Sequence, residues 1–262
     1  ALALMSEVAS DPFVSRNYPV LAESLTRAAS QQLRNMATVG GNLLQRTRCM
    51  YFRNGAGSLS TVGVYPCNKR DPGSGCAAIG GLDRGQAVLG HSESCTAVSP
   101  GDWPVALTAL DASVEVLGPG GMRTLLVTDL YLLPGSTPHE EFTLQPGEMI
   151  TAITVPKTVA GRASTYHKIR DRESYAFALA SAAVALDLDG DRVRRAHVAL
   201  GGVATRPWRA PQAEAALAGQ RLTPALAQVA GQAALEGAQA GRANAFKIEL
   251  GARVVADALM IA

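Results

Sequence analysis

Apolar side chains recur at Leu21, Leu25, Ala28, Ala29 and Leu33. This spacing predicts an amphipathic helix from Val20 to Leu33, opened by Pro19. Behind it, Asn35 to Leu44 reads as a short strand giving way to a double-glycine turn at Gly40-Gly41. The stretch from about 46 to 98 keeps neither the helical nor the strand period and reads as a loop. Pro104 opens a short helix that ends near Ala109. Ala112 to Leu117 alternates like a strand, Gly118-Pro119-Gly120-Gly121 turns the chain, and Met122 to Val127 returns. A short helix or turn is expected at Asp129 to Leu133, then a strand from Met149 to Val155 stopped by Pro156.

The pattern then changes. Ser164 to Arg170 and Ala180 to Leu188 read as strands. Asp189-Gly190-Asp191 is a strong hairpin signal, and Val193 to Leu200 returns. Beyond Pro211 the chain is rich in alanine, with helices expected near Gln212–Ala218, Pro224–Leu235 and Ala245–Met260. Together these elements predict an antiparallel sheet with helices on one face, an α+β arrangement. Two domains are expected, 1–157 and 158–262, with no internal repeat.

The 262 residues, 47% of them apolar, suffice for one large domain or two smaller ones and carry no mark of disorder. A formal charge of +2 leaves no electrostatic footprint for nucleic acid. No apolar run is long enough to cross a bilayer. The opening Ala1-Leu2-Ala3-Leu4-Met5 is too short for a signal peptide and has no basic flank. Because the chain does not open with methionine, Ala1 is not expected to start the gene product.

All four cysteines lie between Cys49 and Cys95, separated by 17, 8 and 18 residues. The stretch is glycine-rich and basic, with Arg46, Arg48 and Arg53 around the first cysteine and Lys69 and Arg70 after the second. Four thiolates suit a cubane iron–sulfur cluster, which takes one thiolate per iron. Nearby cations would offset its negative charge, and glycines would let N–H groups approach its sulfurs. Two disulfides, a structural zinc and four unrelated thiols also stay open. Zinc sites usually pair ligands two to four residues apart, and no such pair occurs here. His91, His139, His167 and His197 have no metal-ligand spacing, and no nucleophilic triad is evident.

In Thr38-Val39-Gly40-Gly41-Asn42, consecutive glycines could let main-chain N–H groups converge on an anion, with the Thr38 hydroxyl as a further donor. A tight turn without a ligand is the plainer alternative. The G-x-G-x-x-G spacing of a Rossmann turn is absent.

Leu33-Arg34-Asn35-Met36-Ala37-Thr38-Val39-Gly40-Gly41-Asn42-Leu43 resembles the second flavin-contacting segment of the FAD-binding subunit of molybdenum hydroxylases, the xanthine dehydrogenase and aldehyde oxidoreductase family. Ser99-Pro100-Gly101-Asp102-Trp103-Pro104, Leu144-Gln145-Pro146-Gly147-Glu148-Met149-Ile150, His167-Lys168-Ile169-Arg170-Asp171-Arg172-Glu173-Ser174 and Gly201-Gly202-Val203-Ala204-Thr205-Arg206-Pro207 resemble further family segments, in the same order. The resemblance covers nearly the whole chain.

It implies the second lobe of a vanillyl-alcohol-oxidase-type FAD-binding domain, interrupted by the cysteine loop and followed by an α+β C-terminal domain like that of the CO dehydrogenase flavoprotein. It implies that Thr38, Gly41 and Asn42 face the FAD pyrophosphate and ribityl region. Asp102 would accept from a ribose hydroxyl, Ile150 would touch the ring system, and Lys168 would lie near it. The cysteine loop resembles that of heterotrimeric bacterial aldehyde oxidoreductases, which implies a 4Fe–4S cluster on Cys49, Cys67, Cys76 and Cys95.

An aldehyde would be oxidised at a molybdenum cofactor on a large subunit. Its electrons would pass through 2Fe–2S centres on a small subunit to FAD and then to an external acceptor. The family's first, glycine-rich FAD segment has no counterpart here, so half of the flavin cradle is expected to be missing. The compartment stays open between the periplasm, by export on a partner's signal, and the cytoplasm. Without the resemblance, Asp102 reads as a helix cap, Ile150 as core and Lys168 as a solvated strand residue. A zinc-binding, non-redox scaffold with a vestigial flavin site, and a flavoenzyme acting alone, are the competing readings.

Overall fold

Asp11 and Pro12 set the first clear boundary in the computed structural model, which describes residues 1–54 and 64–262. The Asp11 carboxylate accepts from Phe13 N and Val14 N, and Pro12 fills the first helical position, where no N–H is needed. This separates α1 (Met5–Ser10) from α2 (Pro12–Asn17). Helices α3 (Pro19–Thr26) and α4 (Gln31–Arg34) replace the single helix expected from Val20 to Leu33. The break falls where Ala29 adopts a positive φ of 48° and Ser30 caps the next turn by accepting from Leu33 N.

The expected strand and double-glycine turn is also corrected. Thr38 makes only an isolated bridge with Leu4, and then caps a short helix, α5 (Val39–Leu43). Within the cysteine loop the described regular element is α6 (Met50–Arg53). Residues 55–63 of that loop lie outside the described residues.

Helix α7 (Trp103–Ala109) leads into the hairpin of β1 (Ser113–Gly118) and β2 (Gly121–Leu126), α8 (Val127–Leu130) and β3 (Met149–Thr154). These strands form an antiparallel sheet in the order β2-β1-β3. The second sheet, β4-β5-β6-β7, is also antiparallel: β4 (Ser164–Ile169), β5 (Ala180–Asp189), β6 (Arg192–Gly201) and β7 (Trp208–Arg209). Gly190, at φ +62°, closes the β5–β6 hairpin. Helices α9 (Pro211–Leu217), α10 (Pro224–Ala233) and α11 (Phe246–Ile261) complete the chain.

The helices of this tail cover one face of the β4–β7 sheet, as expected, and α3 and α7 cover the other. On β5, Ala183 and Ala185 pack into a first cluster with Leu25 of α3 and Leu107 of α7, while Ala182, Val184 and Leu186 pack into a second with Leu217 and Val255. Alternate residues of a strand point to opposite faces, so β5 is buried on both sides. Alanine on one face and larger side chains on the other let α3 and α7 approach the sheet closely. Among the described residues, no helix is long and apolar enough to cross a membrane.

Candidate functional site

The Thr38–Asn42 run folds differently from the anion cradle its glycines suggested. Val39 N and Gly40 N donate to the carbonyls of Ala3 and Ala1, Gly41 N to Thr38 Oγ1 at 3.1 Å, and Asn42 N to Thr38 O. Gly40 is needed because a Cβ there would lie 2.7 Å from the Ala1 side chain. The four N–H groups are therefore committed within the protein. The Thr38 hydroxyl hydrogen and the Asn42 side chain are what remain. Asn42 Oδ1 is buried with no hydrogen-bond partner among the described residues, and Asn42 lines a cavity of about 290 Å³ with Arg48, Asp102, Arg172, Tyr175 and Phe177.

Asp102 lines that cavity and is 5% exposed. It precedes α7 but makes no side-chain cap. Instead Oδ2 accepts from Lys168 Nζ at 2.9 Å, and Oδ1 accepts from Tyr166 Oη at 2.6 Å. Tyr166 and Lys168 stand two apart on β4 and so share a face, and Ser181 of β5, opposite Lys168, stands 2.9 Å from Tyr166 Oη. Lys168 also donates to Arg27 O at 3.0 Å. It is buried rather than solvated. Burial pushes Asp102 up and Lys168 down, towards their neutral forms, and the contact between them opposes both shifts. Each carboxylate oxygen has two lone pairs, so Asp102 keeps acceptor capacity towards the cavity.

Ile150 does not join this group. On β3 it pairs with Val116 of β1, belongs to the first core cluster and lines neither this cavity nor its larger neighbour.

All four cysteines are free thiols. Cys67 and Cys76 face each other across an isolated antiparallel bridge. Cys95 is near enough to Cys76 and Cys49 to be affected by their charge, and burial pushes its thiol up to about 11. Cys49 Sγ accepts from Gln86 Nε2 at 3.5 Å. Among the described residues, no three His, Cys, Asp or Glu side chains converge as a preformed metal site. The donor set suits a cubane cluster in number and kind. The basic residues around it serve the loop first: Arg70 donates to the carbonyls of Tyr51, Phe52 and Tyr65, and Arg46 and Lys69 pair with Glu141.

Three residues unmarked in the sequence complete the region. Tyr166 holds Asp102, while Gln86 and Lys247 line a cavity of about 610 Å³ that also contains Cys49 and Asp102. Nothing in linear spacing singles them out, because β4, the loop and α11 meet only in the folded chain.

Residues 1–158 match the family described as the FAD binding domain in molybdopterin dehydrogenase, and residues 164–260 match the CO dehydrogenase flavoprotein C-terminal domain. The chain belongs to the FAD-binding subunits of the molybdopterin dehydrogenases. Over 260 residues it is 45% identical to the aldehyde oxidoreductase FAD-binding subunit PaoB of Escherichia coli K12, covering 99% of this chain and 76% of that protein. It is 27% identical to the carbon monoxide dehydrogenase medium chain of Afipia carboxidovorans, covering 86% of this chain and 59% of the relative. The carbon monoxide dehydrogenase structure from Hydrogenophaga pseudoflava aligns with a TM-score of 0.69 at 25% identity, over 99% of this chain and 72% of that one. The α+β fold expected from the sequence is that of this family.

Proposed function

We propose that this chain is the FAD- and 4Fe–4S-carrying electron-transfer subunit of a molybdenum-dependent aldehyde oxidoreductase. A large partner chain would oxidise an aldehyde to a carboxylic acid at its molybdenum cofactor, and a small 2Fe–2S chain would relay the electrons. The 45% identity to PaoB over nearly the whole length carries this reading. The four cysteines in one loop support the cluster.

FAD, when bound, takes up electrons and passes them to an external acceptor. The chain's own residues bind and orient it. Asn42 and the Thr38 hydroxyl would meet the phosphate–ribityl region, Gly41 leaves room beside Thr38, and Asp102 would accept from a sugar hydroxyl. Lys168 holds Asp102 in position by donating to its Oδ2. Ile150 supports it as a core residue of β3. In this reading residues 1–157 form the flavin-binding part with its cysteine loop, and residues 158–262 form the C-terminal domain.

The test replaces Cys49, Cys67, Cys76 and Cys95 singly with Ser in the complete complex. Each variant is expected to lose or distort the cluster's reduced-state EPR signal and to lose iron, with FAD retained. Two variants with unchanged iron would remove the cluster assignment, and zinc in place of iron would favour a non-redox scaffold.

A further inference from the structure

The 610 Å³ cavity lies between the cysteine loop and the C-terminal sheet, and shares Arg48, Pro100, Asp102, Ala176 and Phe177 with the cavity beside Asn42. The two are lobes of one cleft. Much of the larger lobe is apolar, walled by Met50, Leu82, Val98 and Leu179. Arg48, Arg84, Asp102 and Asp171 also line it, and Lys247 and Gln86 form a buried polar part of its wall.

There Lys247 of α11 is 1% exposed and donates to Gly202 O at 2.7 Å and Gly85 O at 3.3 Å. An ammonium has three N–H donors, so one is left without a protein acceptor among the described residues. The charged neighbour acting on it is Arg84, which repels it, and burial pushes its pKa down to about 8. A buried cation with no carboxylate partner is costly unless something supplies an acceptor. Gln86, next to Gly85, has the complementary deficit. Its Nε2 donates to Cys49 Sγ, while its Oε1 is buried with no partner.

We propose that this polar wall receives the pyrimidine edge of the flavin ring, with Lys247 donating to a ring carbonyl and Gln86 accepting from the imide N–H beside it. This rests on the flavin reading above and extends it to residues outside the family segments that suggested that reading. A flat, largely apolar ring whose edge alternates carbonyl, N–H and carbonyl matches a largely apolar lobe in which a buried spare donor, Lys247, stands beside a buried spare acceptor, Gln86. The continuity of the lobe with Asp102 and Asn42 favours the flavin over a separate ligand. A fixed positive charge at that edge stabilises the electron-rich, reduced ring more than the oxidised one, and so raises its potential.

The experiment uses the complete FAD-loaded complex, comparing wild type with Lys247→Met and Lys247→Arg. Lys247→Met is expected to shift the flavin potential to a more negative value, to move the flavin carbonyl bands in vibrational spectra, and to weaken FAD binding about ten-fold or more. Lys247→Arg, which keeps the charge, should restore much of the potential. If Lys247→Met does not fold, the carbonyl bands are read in Lys247→Arg, where a changed donor should still move them. An FAD-loaded variant with potential and bands unchanged would overturn the assignment and leave Lys247 as a clamp on two carbonyls. A wild-type complex that carries no FAD would overturn the flavin reading itself, and the assignment with it.

Discussion

Asp102 and Lys168 illustrate how much rests on single side chains here. Both are buried, 2.9 Å apart, and each is the other's counter-ion. Asp102→Ala leaves an uncompensated ammonium inside the protein and is expected to cost about 3–5 kcal/mol in chemical denaturation. Adding Lys168→Met removes that stranded charge, so the double variant should recover much of the loss. A double variant less stable than Asp102→Ala would contradict the pairing. Lys247 gives a pH signature. Burial, and then Arg84, lowers its pKa from 10.5 to about 8. Below about pH 8 the folded state bears the full burial cost of the charge. Between 8 and 10.5 the unfolded chain holds the proton that the folded one has released, so stability rises with pH. In flavin-free protein, the stability difference between wild type and Lys247→Met should climb across that window. A flat difference would contradict the shift.

Among the elements, the cysteine loop is held by the approach to α11 as much as by its own turns. Asp83 Oδ2 accepts from Arg242 N at 2.6 Å and Oδ1 from Ala243 N at 2.9 Å, while Asn244 Nδ2 donates to Gln86 O and Ala87 O. Gly241 allows this approach, since a Cβ there would sit 2.1 Å from Asp83 Oδ2. Asp83→Ala removes charge-assisted hydrogen bonds and should cost roughly 1.5–3 kcal/mol. In cluster-free protein, buried Cys67 and Cys95 should then react faster with a thiol reagent. Unchanged reactivity would mean that the loop holds itself.

The strands from Ser113 to Gly201 were legible because alternation and turn residues such as Asp189-Gly190-Asp191 act locally. The split between α3 and α4 was not, since Ala28 and Ala29 continue the apolar stripe while the backbone turns at Ala29. Asp11-Pro12 was a readable helix start that the apolar pattern alone passed over. In the candidate site, Asp102 and Lys168 were visible through motifs, but their contact was not. It depends on α7 packing over β5 and β6 so that Asp102 reaches the neighbouring strand β4, a relation no local period encodes.

Among the described residues, the two sheets and eleven α-helices share packing between the N-terminal and C-terminal parts of the chain. Strand β5 contributes to both core clusters, and Arg209 of β7 donates to Thr108 O and Asp111 Oδ1 at the end of α7, and to Glu214 of α9. That staple fixes α7, and with it Asp102, against the C-terminal sheet. The cleft is therefore made from three parts of the chain: the α5–α7 region, the cysteine loop and the C-terminal sheet with α11. Two redox centres held across this frame would have fixed positions relative to each other. The most direct measurement is the absorption spectrum of the anaerobically purified complete subunit, paired with iron and flavin analysis. The account expects flavin bands over broad iron–sulfur absorption, with one FAD and the iron of one 4Fe–4S cluster per chain. Flavin without iron, or neither chromophore, would contradict it.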